Sequence, residues 1–194
     1  MIEALGGLGL ASAAGLNAYI PALAIAVLAQ FTDRVHLPAE LAFLDRTWVL
    51  VTLLLLLVVE EIVDKIPGAD HLNDIVQTVV RPASGAVVFA AGAPDAFNGN
   101  VWVALAVGFV MALTVHGAKA AGRGVVNVST AGVGAPVVSV VEDLLSIAAT
   151  VVAIAIPALV VVVLLGVVWL VWVAIRRRTR RASQGRTGGN TVGA

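Results

Sequence analysis

Residues 47–66 read TWVLVTLLLLLVVEEIVDKI, an apolar run that becomes charged only in its last two turns. A helix needs about 20 mostly apolar residues to cross the hydrocarbon core of a bilayer, because each residue adds only about 1.5 Å. The run meets that length. It therefore predicts a transmembrane helix.

The composition extends this interpretation to the whole chain. Its 194 residues are 60% hydrophobic and 12% charged, whereas soluble domains have roughly 45–50% apolar and about 25% charged residues. A water-soluble core cannot absorb that excess, so we expect an integral membrane protein whose main partner is the lipid bilayer. The formal net charge of +0 gives no indication of a nucleic-acid partner. The absence of cysteine excludes disulfides, thiolate zinc sites and cysteine nucleophiles.

Further apolar stretches predict an all-α, polytopic transmembrane bundle of about six membrane segments. Three are clear and lie at residues 4–31, 101–121 and 146–175. The N-terminus lacks the basic region of a cleaved signal, so the first stretch is expected to remain as a helix. Residues 70–93 and 124–141 are more polar, and each either spans or re-enters the membrane.

The basic residues predict the orientation, because loops rich in Lys and Arg stay on the cytoplasmic side. An arginine run begins at Arg176, so we expect a transmembrane domain at 1–175 and a disordered cytoplasmic tail at 176–194. With six spans, Lys65, Lys119 and Arg123 fall in cytoplasmic turns. Glu142-Asp143 is expected in an external turn.

Three segments of small residues, each with a proline, suggest an internal repeat. Transporters are often built from repeats whose interrupted helices meet near the midplane. Ordinary close packing of helices through small residues is the alternative. The broken helices would lie at these residues: Gly15 and Pro21, Pro82 and Gly85, and Ser129, Gly132 and Pro136.

The end of the second apolar stretch is unusually charged. Glu60 and Asp64 are four residues apart, as are Glu61 and Lys65, so each pair shares a helix face. Charges within a span are costly and usually face the protein interior or a water-filled cavity. The alternative places them at the cytoplasmic interface.

After Pro67-Gly68 the pattern predicts an amphipathic helix with one polar arc, formed by Asp70, Asn73, Asp74, Gln77 and Arg81. Such a helix either lies in the interface or lines an aqueous entrance, where Arg81 could hold an anion. Because Pro82 lacks a backbone N–H, the helix is expected to break or kink there.

Two histidines and one asparagine are further candidates. His71 beside Asp70 and Asp74 allows a metal hypothesis, but no motif supports a metal or another cofactor. His116 could relay protons or simply form a hydrogen bond. Asn17 lies between Gly15 and Pro21, where a loosened helix could expose carbonyls to an ion; an interhelical hydrogen bond is the alternative.

Residues 10–21 and 61–82 together resemble domain-of-unknown-function family 4126, small bacterial membrane proteins. The likeness extends more loosely through residues 129–136 and Glu142-Asp143, and covers most of the chain except the basic tail. The resemblance implies a bacterial inner-membrane protein. It supplies no agreed substrate, catalytic residue or cofactor.

The sequence favours a small permease or channel for an ion or small polar solute, and a homodimer is one assembly this hypothesis allows. A membrane accessory protein that packs against larger partners is the second hypothesis. A lipid-headgroup enzyme using Asp70, His71, Asp74 and Arg81 is the third. No complete catalytic motif is visible, so a non-enzyme is expected.

Overall fold

The computed structural model describes residues 2–63, 69–130, 133–166, 169, 172, 173 and 176; within 69–74 it describes the backbone only. All regular secondary structure in these residues is helical. The α-helices are α1 (Ile2–Leu16), α2 (Tyr19–Phe31), α3 (Thr47–Val63), α4 (Ala69–Gly92), α5 (Val101–Thr130), α6 (Ala135–Ala155) and α7 (Pro157–Gly166). Two 3₁₀ helices, Ala39–Asp45 and Ala96–Gly99, lie in the connections before α3 and α5.

Helices α1 and α2 form a hairpin. Glu3, near the start of α1, and Arg34, just after α2, line the same pocket. Leu10 and Ile25, on opposite legs, both reach Gly92 of α4. The chain therefore turns back at Leu16–Ala18, the hairpin tip, and the single helix predicted at residues 4–31 is wrong. We call the end of the bundle where α1 begins and α2 ends the open end.

Three of the described helices are long and apolar enough to cross a membrane, within Ile75–Gly92, Val101–Thr130 and Ala135–Ala155. Helix α3 joins its preceding 3₁₀ helix at a bend of 69°, and the pair would make a fourth span. Six spans are not confirmed. The two hairpin helices have only 15 and 13 residues, about 20 Å each.

Close approach of α1, α4 and α5 forms the centre of the bundle, and glycines make it possible. A Cβ on Gly85 of α4 would overlap the Cβ of Ala112 on α5. A Cβ on Gly15 of α1 would lie 2.7 Å from the backbone oxygen of Ala112. Backbones that approach this closely maximise van der Waals contact, which replaces the hydrophobic effect in lipid.

Helix α4 runs through Pro82 without a break, contrary to the expectation for Pro82 and Gly85. Membrane helices tolerate an internal proline because neighbouring groups can satisfy the backbone carbonyl that it leaves free. Pro82 is fully buried in the bundle. The polar segment 70–93 is thus one long helix.

The predictions for the C-terminal third also need correction. Residues 124–141 are not a separate segment but the end of α5, a turn at 133–134 and the start of α6. The predicted helix at 146–175 is interrupted at Ile156, whose backbone is not helical (φ −141°, ψ 71°). Pro157 favours a break at this position, because proline disfavours the helical conformation of the residue before it.

The chain divides into two compact units, Met1–Val160 and Val161–Ala194. In the second unit the guanidinium of Arg176 lies 3.7 Å from the centre of the Trp172 ring, a cation–π contact. The predicted tail after Arg176 lies outside the described residues, as do residues 64–68 and 131–132.

Candidate functional site

A buried ion pair joins α3 to α4. Arg81 donates from Nη2 to Glu60 Oε1 at 2.9 Å, and the two side chains are 1% and 2% exposed. Arg81 Nη1 lies 3.3 Å from His116 Nδ1 on α5. The other ring nitrogen of His116 lies 3.2 Å from the hydroxyl of Thr78. Three helices thus contribute to one polar chain.

A second ion-pair group joins α5 to α6. Glu142 Oε2 lies 3.0 Å from Lys119 Nζ and 2.8 Å from Arg123 Nη2. All three side chains are at most 10% exposed. Lys119 also donates to the carbonyl of Leu16 at 2.6 Å, at the last residue of α1. A cation at this position complements the negative end of the α1 dipole.

The hairpin tip is held by hydrogen bonds from three helices. Asn17 Nδ2 donates to Asp143 Oδ1 of α6 at 2.9 Å, while Asn17 Oδ1 accepts from the backbone N–H of Tyr19 and Ile20 and so caps α2. Ser84 of α4 donates to the carbonyl of Ala18 at 2.5 Å. Backbone groups that the helix break leaves free are thereby satisfied inside the bundle.

Further polar side chains surround the tip. The Asp143 carboxyl also lies close to the carboxyl of Glu61 on α3. The hydroxyl of Tyr19 bonds to Gln77 of α4, which is fully buried.

We define the interior cluster as the ionisable side chains that meet around the tip: Glu60, Glu61, Arg81, His116, Lys119, Arg123, Glu142 and Asp143. They come from α3, α4, α5 and α6. Removing so many charges from water is costly, and mutual pairing only partly offsets that cost. Intramembrane charges of this kind mark ion paths and proton relays.

The structure brings together five of the predicted candidates at or beside the interior cluster: Asn17, Glu60, Gln77, Arg81 and His116. Glu61 joins them through Asp143. Gln77 and Arg81 are fully buried, so the aqueous entrance proposed for them is wrong. The side chains of Asp64, Lys65, Asp70, His71 and Asp74 lie outside the described residues.

The broken-helix candidates have different positions. Gly15 precedes the hairpin tip, and Pro21 lies in the first turn of α2. Ser129 lies in the last turn of α5, and Pro136 in the first turn of α6. Gly132 lies outside the described residues, and the internal repeat is not confirmed.

Four charged residues of the cluster were misplaced by the sequence interpretation. Lys119 and Arg123 lie inside α5 rather than in turns, and Glu142 and Asp143 lie inside α6 rather than in an external turn. The sequence does contain a signal for Lys119 and Arg123. The buried residues of α5 recur every three or four positions from Ala104 to Arg123, so the helical periodicity continues through both charged residues.

Among the described residues, no three His, Asp or Glu side chains converge as ligands for a metal ion. The cluster is instead made of carboxylates matched to guanidinium, ammonium and imidazole groups. Such a set can bind or relay a proton, or exchange one partner for a permeating ion.

A protein-family model described as Domain of unknown function (DUF4126) matches residues 4–177 of the chain. No curated protein and no solved structure matches the chain significantly.

Proposed function

We propose that this chain, which belongs to the DUF4126 family of domains of unknown function, is a small permease or channel. The geometry of the hairpin tip is the basis of the proposal. The substrate of the permease or channel is an ion or a small polar solute. The observation that carries this proposal is the turn of the α1–α2 hairpin inside an apolar bundle, surrounded by the interior cluster.

The energetics of the cluster support a functional role. Replacing a buried ion pair by apolar residues of similar volume is often neutral or stabilising by about 1–4 kcal/mol. Apolar side chains would therefore hold these helices together at least as stably as the Glu60–Arg81 pair and the Lys119–Glu142–Arg123 group do. Selection for transport gives a reason to keep them, because a permeating ion needs polar partners along its path.

The hairpin supports the same role. About 20 Å of helix is too short for a hydrocarbon core of about 30 Å, so its tip would lie within the membrane as a re-entrant segment. Interrupted helices of this kind present helix ends and free backbone groups to substrates near the midplane. Here the C-terminal end of α1 and the N-terminal end of α2 meet at Asn17.

We propose that the C-terminus lies in the cytoplasm, because the terminal arginine run follows the positive-inside rule. A location in the bacterial inner membrane is what the family resemblance implies, and it is part of the same proposal. We propose a non-enzymatic role. Among the described residues, the buried carboxylates pair with cationic side chains, as in Glu60–Arg81 and Glu142–Lys119, and this pairing supports the proposal.

The proposal is tested by reconstituting the purified protein in liposomes and measuring flux across a panel of ions and small polar solutes. We expect flux above that of empty liposomes, and its loss in Glu60→Gln and Arg81→Ala. Asp45→Asn, at an exposed pair with Arg46 outside the cluster, is the matched control and should retain flux. No flux for any solute would overturn the proposal.

One observation favours a membrane accessory protein as the second candidate. Gly117 and Gly124 of α5 have open space around them, although close packing is the usual role of such glycines. Another helix could pack there. Gly117→Leu would then remove a partner subunit in crosslinking experiments while leaving the isolated chain folded; unchanged crosslinks would exclude this face as an interface.

A further inference from the structure

The imidazole ring of His116 is held between two side chains of α4. Thr78 and Arg81 lie three residues apart, so they share one face of that helix. The Thr78 hydroxyl lies 3.2 Å from Nε2 of His116, and Arg81 Nη1 lies 3.3 Å from Nδ1. The histidine itself is only 5% exposed. Both ring nitrogens therefore have a partner, and the ring cannot turn over without losing both contacts.

The chemistry of Arg81 determines where the imidazole proton lies. A guanidinium has only hydrogen-bond donors and does not lose a proton in proteins. Nδ1 of His116 must therefore accept from Arg81 and cannot itself carry a proton, since an imidazolium would turn two donors toward each other. The proton of the neutral ring then lies on Nε2, which donates to the hydroxyl oxygen of Thr78.

The same contact blocks a proton relay through this ring. To pass a proton on, a histidine takes one up at one ring nitrogen and releases one from the other. The group that faces Nδ1 of His116 is the Arg81 guanidinium, which has no proton to give up. Transfer between Nδ1 and its neighbour is therefore excluded while this contact is made.

Arg81 in turn depends on His116 for its orientation. Its Nη2 donates to Glu60 at 2.9 Å and its Nη1 donates to His116. Its Nε has no hydrogen-bond partner among the described residues. Two contacts thus fix the guanidinium. Without the histidine only the Glu60 contact would remain, and the guanidinium could rotate about it.

We propose that His116 is a positioning residue, a neutral imidazole protonated on Nε2 that holds Arg81 against Glu60 and does not itself carry protons. Its part in transport rests on the proposed function, whereas the position of its proton does not. This assignment narrows the proposed function, because a proton that crosses the bundle has to use other groups of the interior cluster.

Nitrogen NMR of protein labelled at histidine tests the position of the proton, because protonated and unprotonated ring nitrogens give well-separated signals. The chain has three histidines, so the signals that His116→Asn removes are those of His116. At neutral pH we expect a protonated Nε2 and an unprotonated Nδ1. A protonated Nδ1, in the other tautomer or in an imidazolium, would overturn the proposal whether or not the protein transports a solute.

Flux in liposomes separates positioning from proton relay. The amide oxygen of asparagine can replace Nδ1 as an acceptor for Arg81 but cannot relay a proton as imidazole does, and leucine offers no acceptor. We expect His116→Leu to lower flux by about tenfold or more, as for one lost hydrogen bond to a charged group. His116→Asn should recover most of that flux. The control His36→Asn, at an exposed histidine, should keep it.

Two results would count against these proposals in different ways. Equal loss of flux in folded His116→Asn and His116→Leu would overturn the positioning role, because the imidazole itself would then be required. Absence of flux in the wild-type protein would remove the proposed function, and the NMR signals of His116 would still decide where its proton lies.

Discussion

Arg81 Nη2 and Glu60 Oε1 lie 2.9 Å apart in an environment almost inaccessible to solvent. This pair connects the C-terminal end of α3 to the middle of α4. Removing one partner would leave the other as an uncompensated buried charge, which is far costlier than removing both.

Single substitutions of this pair should therefore destabilise the protein more than the double substitution. We expect Glu60→Ala and Arg81→Ala each to lower the free energy of unfolding by about 3–5 kcal/mol. The double variant should lose less than the sum, with a coupling energy above about 1 kcal/mol. Denaturation followed by circular dichroism in detergent measures this.

The exposed pair Asp45–Arg46 is the matched control, with side chains that are 48% and 68% exposed. Its coupling energy should stay below about 1 kcal/mol. Additive effects at Glu60 and Arg81 would show that the buried pair contributes no interaction of its own.

Asn17 should be needed for the hairpin tip, because its side chain caps α2 and bonds to Asp143. Asn17→Ala should lower the free energy of unfolding by about 1–2 kcal/mol through loss of the cap alone. Ser12→Ala, which removes only a bond to the carbonyl of Leu8 within α1, is the control. Equal effects of the two substitutions would count against a structural role for the tip.

The same substitution at two glycines should have opposite effects. Gly85→Ala places a methyl group into Ala112 and should cost about 1–3 kcal/mol. Gly122→Ala meets nothing within 4 Å and should gain about 0.5–1 kcal/mol from helix propensity. Thermal denaturation of both variants tests the close approach of α4 to α5; stabilisation by Gly85→Ala would contradict it.

Because the chain has no cysteine, single cysteines can report the topology of the hairpin. Glu3→Cys and Arg34→Cys should react with a membrane-impermeant maleimide from the same side. Val133→Cys, in the turn between α5 and α6, should react from the opposite side. Labelling of positions 3 and 34 from opposite sides would mean that residues 4–31 cross as one span.

Much of the helical fold could be predicted, because apolar length alone identifies a membrane helix. The start of α3 at Thr47 and the start of α5 at Val101 lie where the apolar runs begin. The hairpin could not be predicted from the sequence, because the residues on both sides of Asn17 are equally apolar and small. What turns the chain there is a set of tertiary hydrogen bonds, from Lys119, Ser84 and Asp143.

About half of the residues of the candidate site could be predicted from the sequence. The charged end of α3 and the polar face of α4 supplied Glu60, Gln77 and Arg81. His116 of α5 was also a predicted candidate. The residues Lys119, Arg123, Glu142 and Asp143 of α5 and α6 were instead assigned to turns, because charge was taken to mark the end of a span. Pairing overrides that rule: Lys119 and Glu142 satisfy each other, so neither needs water.

Access of a small cationic thiol reagent to the hairpin tip is the most direct test of the central claim, that the path passes this tip. Ala18→Cys should retain flux and lose it when the cysteine is modified, since Ala18 is fully buried beside the cluster. Val110→Cys, on the exposed face of α5, should keep its flux after modification. Undiminished flux through protein with verified modification at position 18 would contradict the account.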